Sequence, residues 1–280
     1  MRHLVSVAIA AAASVVVVGG AAYYYLRKKI RGSVRSLNVN EKPVRQERHL
    51  KLYHSFPFRS SRCAWLVNEL HVEDYVEVVN VNIHGAEAKE LLEYRDVHPH
   101  GTLPALVLED GKVILESSAI CLYLAETFLD SNGNSLLPES EYFADYFNMI
   151  CYSACTVDAI LEPLYMQLTH IPEEKRNQSL VDTNLRKFNI CCNVISSLLN
   201  DRLYVCGSKF TAADCVLGYN IWWASAIHNG ELLKEFPVLV QYLERLKERP
   251  AFKECMKRKA SETSEATDTN ETAQLKESSQ

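Results

Sequence analysis

HPHGTLPAL, residues 98–106, is the stretch that decides the fold of this 280-residue chain. It runs into PALVLE, residues 104–109, then Asp110-Gly111 and KVIL, residues 112–115. Apolar segments on both sides of Asp-Gly predict a β-hairpin, because this dipeptide favours the tight turn that joins two antiparallel strands.

The neighbouring residues supply the other elements of a small α/β domain. Alternation and helical periodicity predict, in order, a strand over residues 49–55, a helix over 60–70, a strand over 75–82 and a helix over 86–94. After the hairpin, Ser117 or Ser118 can cap a helix that runs through Phe128. The predicted order within residues 50–129 is therefore β-α-β-α-β-β-α.

Residues 139–257 show helical periodicity and no convincing strand, which predicts an all-α domain. Its sharpest local signal is FTAAD, residues 210–214. Thr211 can cap a helix there while the carboxylate of Asp214 reaches back to the main-chain amide of Thr211, as in a capping box. Residues 258–280 are rich in Ser, Thr and Glu, so we expect a disordered tail.

The first 49 residues follow a different pattern. Residues 4–26 carry no charge, and about 20 apolar residues span a bilayer as a helix. We therefore predict a transmembrane anchor there and a basic linker over residues 27–49, with a cleaved signal peptide or another targeting segment as the alternatives. Positive charge after the apolar segment predicts a single-pass membrane protein with a cytosolic body.

Charge and cysteine content argue against two classes of function. The linker holds eight Lys or Arg against two Glu, yet the whole chain has a net charge of -5, so the body is acidic. No nucleic-acid partner is expected, because phosphate binding requires a basic face. The nine cysteines lie mostly in apolar helical runs, which indicates reduced, buried thiols. Cys151 and Cys155 are one turn apart with no further ligand at that spacing, so no metal site is predicted.

Three segments in order resemble the cytosolic glutathione S-transferase family, in particular its bacterial and fungal members. They are residues 52–70 (LYHS followed by SRCAWLVNEL), residues 98–120 (HPHGTLPAL through LESSAI), and residues 210–214 with the closing RPAF of residues 249–252. The resemblance covers residues 50–257. It implies a thioredoxin-like N-terminal domain followed by an all-helical domain, a homodimer, and glutathione as substrate without any cofactor.

The resemblance also implies which residues bind glutathione. In the family, the residue before a cis proline pairs its backbone with the cysteinyl unit, which implies this role for Leu103 and Pro104. Glu116 and Ser117 would hold the γ-glutamyl end, its carboxylate on Ser117 and the helix amides. Thr102 stands where many members carry Lys or Gln against the glycyl end.

Transferases of this type lower the pKa of the glutathione thiol with a hydrogen bond from a hydroxyl near the first helix. A shift from about 8.5 to about 6.5 requires roughly 2.7 kcal/mol of thiolate stabilisation. Phe58 occupies the position that often holds serine, and it cannot donate. Ser60 at the helix start is the first candidate and Ser55 the second, with a structural role as a cap or turn hydroxyl as the alternative.

The predicted function is the conjugation or glutathione-dependent reduction of hydrophobic electrophiles at a membrane surface. The electrophile would lie between the domains, where the candidate lining residues are Tyr146, Met149, Tyr152 and either Trp222 or Trp223. The alternative is a non-catalytic adaptor or membrane-organising protein of the same fold. Phe58 favours the adaptor, whereas the intact Leu103-Pro104 favours glutathione binding.

Overall fold

The computed structural model describes residues 49–82, 88–130 and 132–256. Four strands form one sheet in the order β2-β1-β3-β4, with bounds β1 Leu50–His54, β2 Val76–Asn80, β3 Ala105–Val107 and β4 Val113–Ile114. β1 pairs parallel with β2 and antiparallel with β3, and β3 pairs antiparallel with β4. Leu50, Leu52 and His54 of β1 are buried, as the alternation predicts.

Three helices complete this domain: α1 Ser61–Leu70, α2 Ala88–Val97 and α3 Ser117–Thr127. The order β-α-β-α-β-β-α confirms the predicted thioredoxin-like domain. α2 continues three residues past the predicted end at Tyr94, because its last turn is polar and leaves no apolar periodicity to detect. It ends directly before His98-Pro99, since the residue that precedes a proline disfavours the helical conformation.

The predicted hairpin is present, and its two strands are short. Gly111 adopts a φ of +81°, a conformation that glycine tolerates and other residues rarely adopt. One carboxylate oxygen of Asp110 accepts a hydrogen bond from the main-chain N–H of Lys112 at 3.1 Å. The Asp-Gly pair therefore forms the turn for the reason that the sequence indicates.

The second domain is helical, as predicted. Its helices are α4 Phe143–Cys151, α5 Asp158–Tyr165, α6 Gln178–Leu199, α7 Ala212–Ala226, α8 Pro237–Lys247 and α9 Pro250–Cys255. Wide π-helical turns at Tyr152–Val157 and Met166–His170 flank α5, and short 3₁₀ turns occur at Ser140–Tyr142, Glu173–Lys175 and Ile227–Leu233. Hydrophobic periodicity does not distinguish such wide turns from an ordinary α-helix.

Asp214 caps α7 and also holds the loop before it. Its carboxylate accepts hydrogen bonds from the main-chain N–H and the hydroxyl of Thr211, at 2.8 and 3.0 Å. It also accepts from the main-chain N–H of Val205 at 2.8 Å and from the hydroxyl of Tyr242 on α8 at 2.9 Å. The predicted cap is therefore also a buried junction between α7, α8 and the loop that precedes α7.

The helix α1 is the contact surface between the two domains, and nine of its ten residues are buried. The Trp65 ring packs edge-on against Phe252 of α9, with a centroid distance of 4.9 Å. Arg249 donates two hydrogen bonds to Glu69 of α1, at 2.6 and 2.7 Å. At Gly218 of α7, a Cβ atom would lie 3.0 Å from the Trp65 ring, so α7 approaches α1 through a glycine. The closing RPAF motif therefore fastens the last helix to the first domain.

The predicted anchor over residues 4–26, the tail over 258–280 and all but the last residue of the linker over 27–49 lie outside the described residues. Across the described ranges, no helix combines the length and the apolar character that a bilayer span requires. Even α6, with 22 residues, carries charged side chains along its length. On this finding, the predicted single-pass membrane location is wrong for the part of the chain that the structure describes.

Candidate active site

The turn between β1 and α1 is held together by the Ser60 hydroxyl. Ser60 Oγ accepts a hydrogen bond from the main-chain N–H of Ser55 at 3.1 Å and donates to the Ser55 carbonyl at 3.0 Å. His54 Nδ1 lies 2.9 Å from the same oxygen. A serine hydroxyl has a single proton, and this one is fully buried inside the turn. Thiol activation by Ser60 stays a prediction, and this geometry favours the structural alternative.

Two other hydroxyls lie at the same end of α1. The side chain of Ser55 is half-buried, and its hydroxyl has no hydrogen-bond partner among the described residues. Ser61 Oγ is fully buried and also lacks a partner there. Of the two predicted catalytic hydroxyls, only that of Ser55 is thus free to donate to a ligand.

The antiparallel register of the sheet brings the predicted glutathione segment to this turn. Ala105 of β3 pairs with Tyr53 of β1, so Pro104 lies beside His54, where the turn begins. The Leu103-Pro104 bond is cis, as the resemblance implies. Pro104 is buried and Leu103 is half-buried. The main chain of Leu103 therefore lies beside the β1–α1 turn.

Thr102 is an exposed residue that is hydrogen-bonded to α2 and to the residue after it. Its carbonyl accepts a hydrogen bond from the Tyr94 hydroxyl at 2.7 Å. Its own hydroxyl lies 3.1 Å from His98 Nε2. Both partners come from α2 or the residue that follows it. The contact of Thr102 with the glycyl end of glutathione stays a prediction.

Glu116 and Ser117 lie at the start of α3, where Ser117 contacts Arg62 of α1. Glu116 has a φ of +65° and a ψ of 115°, an uncommon backbone conformation for a residue other than glycine. Its side chain is exposed and makes no capping hydrogen bond. Ser117 is buried and accepts a hydrogen bond from Arg62 Nη1 at 3.2 Å. Strained residues of this kind cost about 1–3 kcal/mol and concentrate at functional sites.

Arg62 is fully buried, and its guanidinium joins the predicted site to the helical domain. It pairs in a bidentate way with Asp158 of α5, with N–O distances of 2.9 and 2.7 Å. It also donates to Asn220 Oδ1 at 2.9 Å and to the Val216 carbonyl at 3.2 Å, both on α7. Together with the bond to Ser117, every N–H of Arg62 has an acceptor.

The ionisation of Asp158 reflects this environment. Burial alone would raise the pKa of Asp158, but the charges of Arg62 and Arg59 and the hydrogen bonds from Arg62 and Asn220 outweigh burial, so the pKa lies below its ordinary value. The carboxylate is therefore ionised at neutral pH, as a partner for a buried guanidinium must be.

Aromatic side chains of α7 lie against the β1–α1 turn. The Tyr219 hydroxyl donates to the Pro57 carbonyl at 2.8 Å, and the Phe56 ring lies 5.7 Å from the Trp222 ring. Arg59 lies over the Trp223 ring at 5.4 Å. Among the candidate lining residues, the two tryptophans are half-buried beside the turn, whereas Tyr146 and Met149 are buried in the core. Tyr152 is half-buried and packs against the core.

The cluster of Arg62, Asp158 and Asn220 was not predicted from the sequence. The available signal was a charge inside an apolar helical run: Arg62 stands among the buried residues of α1, and Asp158 follows buried Val157. Their pairing was not detectable, because they lie 96 residues apart in the chain.

All nine cysteines are reduced, and six are buried, while Cys151 and Cys155 are exposed and Cys255 is half-buried. The Sγ atoms of Cys63 and Cys121 lie 3.9 Å apart behind Ser117. Burial raises the pKa of Cys63, and its interactions with Cys121 raise it further, so this thiol is not a nucleophile.

Comparison with known families identifies both domains. Residues 59–127 match the glutathione S-transferase N-terminal domain, and residues 157–250 match the glutathione S-transferase C-terminal domain. Together these matches cover more than half of the chain. The chain belongs to the glutathione S-transferase family. This membership confirms the predicted enzyme class, glutathione transferase, and glutathione as its substrate.

Individual relatives agree with this assignment. The chain is 29% identical over 166 residues to glutathione S-transferase GstA of Escherichia coli O157:H7, covering 59% of this chain and 77% of the relative. It is 27% identical over 202 residues to a probable maleylacetoacetate isomerase 2 of Drosophila melanogaster, covering 71% and 85%. Among solved structures, glutathione S-transferase III in its apo form superposes with a TM-score of 0.60 at 26% identity, covering 74% of this chain and 94% of that one.

The Arg62–Asp158 pair gives a first testable prediction. Asp158→Ala leaves a buried guanidinium without its counter-charge and should lower the free energy of unfolding by about 3–5 kcal/mol, measured by denaturant unfolding. The matched control is Glu162→Ala, which removes the half-exposed second partner of Arg59 and should cost below about 1 kcal/mol.

The same pair has a defined pH dependence. Because the folded state holds the pKa of Asp158 below its ordinary value, the stabilisation is present at neutral pH and is lost as the pH falls through the folded pKa. Asp158→Asn should therefore show a weaker loss of stability in acid than the wild type. Equal losses in the two proteins would show that the pair does not have this role.

Proposed function

We propose that glutathione binds between the β1–α1 turn, the Leu103-Pro104 segment and the start of α3. The enzyme conjugates hydrophobic electrophiles to it or reduces them with it. The observation that carries this proposal is the hydrogen bonding of the Ser117 hydroxyl. Arg62 only donates, so Ser117 Oγ accepts from it, and its own proton has no acceptor among the described residues and is available to a ligand. A carboxylate is the acceptor that best suits this position.

The start of α3 offers two further groups for the γ-glutamyl end. The N-terminal amides of this 11-residue helix can bind an anion. The exposed Glu116 carboxylate can pair with an ammonium, and its uncommon backbone conformation is explained if that orientation is used. The cysteinyl unit would pair with the main chain of Leu103, beside the cis bond. One ligand that carries a carboxylate, an ammonium and a peptide backbone fits this set of groups.

For the thiol, we propose Ser55 as the activating hydroxyl. It is half-buried and free to donate among the described residues, whereas the Ser60 proton is directed to the Ser55 carbonyl. The positive N-terminal end of α1 adds to thiolate stabilisation. Ser60 then has a different role, since it fixes the turn that presents Ser55.

The electrophile would lie against the half-buried aromatic rings beside the turn. Phe56 from the first domain and Trp222 and Trp223 from α7 form this surface. Such a surface suits a flat apolar substrate. The non-catalytic adaptor is not favoured, because Ser117, Leu103 and Ser55 retain groups that suit a bound thiol peptide.

Removal of the Ser117 hydroxyl tests the glutathione site. Ser117→Ala should weaken the binding of S-methylglutathione by about ten- to a hundredfold, because a hydrogen bond to a charged group contributes about 1.5–3 kcal/mol. Isothermal titration calorimetry measures the affinity. Ser118→Ala is the matched control, since its hydroxyl is buried without a partner in the described part of the chain, and should change the affinity less than about threefold. A wild type that does not bind would overturn the proposal.

The activating hydroxyl has its own test. Ser55→Ala should raise the pKa of the bound glutathione thiol by about one unit, which corresponds to about 1.4 kcal/mol. Ultraviolet absorbance of the thiolate across a pH titration measures this pKa. Ser60→Ala should mainly lower the melting temperature. If instead Ser60→Ala raises the thiol pKa and Ser55→Ala does not, Ser60 is the activating residue.

We also propose a homodimer, as the family resemblance implies. Phe143 and Phe147 are exposed on α4 and stack with an interplanar angle of 19°. Contiguous exposed apolar side chains of this kind mark association surfaces. Light scattering should give the mass of a dimer, and Phe147→Glu should give a monomer. Leu129→Glu, which changes an exposed residue outside α4, should leave the dimer intact. A monomeric wild type would contradict the proposal.

A further inference from the structure

Thr102, which precedes the Leu103-Pro104 segment, is held by the side chains of Tyr94 and His98. Neither side chain has a role in the proposed reaction. The Tyr94 hydroxyl donates to the Thr102 carbonyl at 2.7 Å, and His98 Nε2 lies 3.1 Å from Thr102 Oγ1. Thr102 is followed directly by the cis Leu103-Pro104 pair. The position of the Leu103 main chain therefore depends on what holds Thr102.

This contact is continuous with the sheet. Tyr94 is 4% exposed, and its ring packs on Tyr53 of β1 at a centroid distance of 5.3 Å. The turn after α2 is closed by a hydrogen bond from the Gly101 N–H to the His98 carbonyl at 2.8 Å, with Gly101 at a φ of +62°. His98 thus lies between the Tyr53–Tyr94 ring pair and Thr102, which precedes Leu103-Pro104.

The second nitrogen of His98 has no hydrogen-bond partner among the described residues. The residue is 5% exposed, and Nδ1 is buried without a hydrogen bond in the part of the chain that the structure describes. A neutral ring can donate from Nε2 to the Thr102 hydroxyl and leave only a lone pair at Nδ1. A protonated ring carries N–H at both nitrogens, so the Nδ1 proton would be buried with no acceptor within hydrogen-bond distance among the described residues, which is unfavourable for a charged group.

The surroundings of His98 also disfavour its charged form. Among residues whose side chains are described, Tyr94 of α2, His100 of the loop and Glu116 at the start of α3 face it. Burial lowers the pKa of His98, and His100 lowers it further, while the His98 main chain and Glu116 act more weakly in the opposite direction. The buried His98 ring that contacts Thr102 must therefore be neutral. In acid, a protonated ring that has left this position for solvent is favoured.

We propose that His98 is a positioning residue that holds the glutathione segment through Thr102, and that protonation of His98 releases Thr102 and weakens glutathione binding in mildly acidic solution. The inference rests on the proposed placement of glutathione at Leu103-Pro104. The direction of the pH dependence follows because glutathione binds the form of the protein in which the His98 ring is neutral. The affinity for glutathione is therefore full above the ordinary pKa of histidine and falls as the pH drops below it.

The probe is S-methylglutathione, which has no thiol to titrate. Its carboxyl groups and its amino group have ordinary pKa values outside the range from about pH 5 to about pH 7. Calorimetric titration of the wild type should show affinity falling by about threefold or more across that range, because only the fraction with neutral His98 is competent to bind. Circular dichroism at each pH establishes that the protein stays folded.

Three variants separate positioning from general stability. His98→Asn retains a donor for Thr102 but does not titrate, so its affinity should be independent of pH across this range. Thr102→Val removes the hydroxyl that His98 contacts and should also abolish the dependence. The matched control is His100→Asn, an exposed neighbour whose ring lies 6.0 Å from His98. It should retain the dependence, with its midpoint moved slightly to higher pH.

The outcomes distinguish this inference from the function on which it rests. A wild type that does not bind at any pH would overturn the proposed glutathione site. A wild type that binds equally across the range, or a His98→Asn variant with the same loss in acid, would overturn the role of His98 alone. If His98→Asn does not fold, Thr102→Val decides: retained pH dependence in that variant would also contradict the inference.

Discussion

The buried guanidinium of Arg62 is the constraint on which the two-domain arrangement depends. A charge removed from water costs several kcal/mol unless it is paired and its hydrogen bonds are satisfied. Here the acceptors come from three other helices: Asp158 on α5, Asn220 and the Val216 carbonyl on α7, and Ser117 on α3. Because one rigid, planar group must reach all of them, α1, α3, α5 and α7 have little freedom to shift relative to one another.

This constraint connects the interior to the site. Ser117 Oγ accepts from Arg62, so packing between the domains fixes the position of a proposed binding group. The β1–α1 turn is fixed from the same side, where Arg59 also donates to Asp158 at 2.9 Å. The Leu103-Pro104 segment is held separately, through the bonds of Tyr94 and His98 to Thr102. The proposed glutathione site is therefore held from two sides.

Local signals were sufficient to predict most of the fold. Alternation identified β1 and β2, Asp110-Gly111 identified the hairpin, and the FTAAD motif identified the capped start of α7, since each of these depends on neighbours within a few residues. The sequence did not predict the cis bond before Pro57 or the positive φ of Glu116. The ranking of Ser60 above Ser55 as the activating hydroxyl stays a prediction. The hydrogen bond with which Ser60 closes the turn could not be predicted, because it depends on main-chain geometry. Arg62 was missed for a related reason, as its partners are distant in the chain.

The most direct test of this account is a crystal structure with S-methylglutathione bound. The account predicts the cysteinyl unit on the main chain of Leu103, the γ-glutamyl carboxylate on Ser117 at the start of α3, and the S-methyl group nearer to Ser55 than to Ser60. Arg62 should still donate to both Ser117 and Asp158 in that complex. A ligand bound elsewhere, or a γ-glutamyl carboxylate that does not contact Ser117, would contradict the central claim.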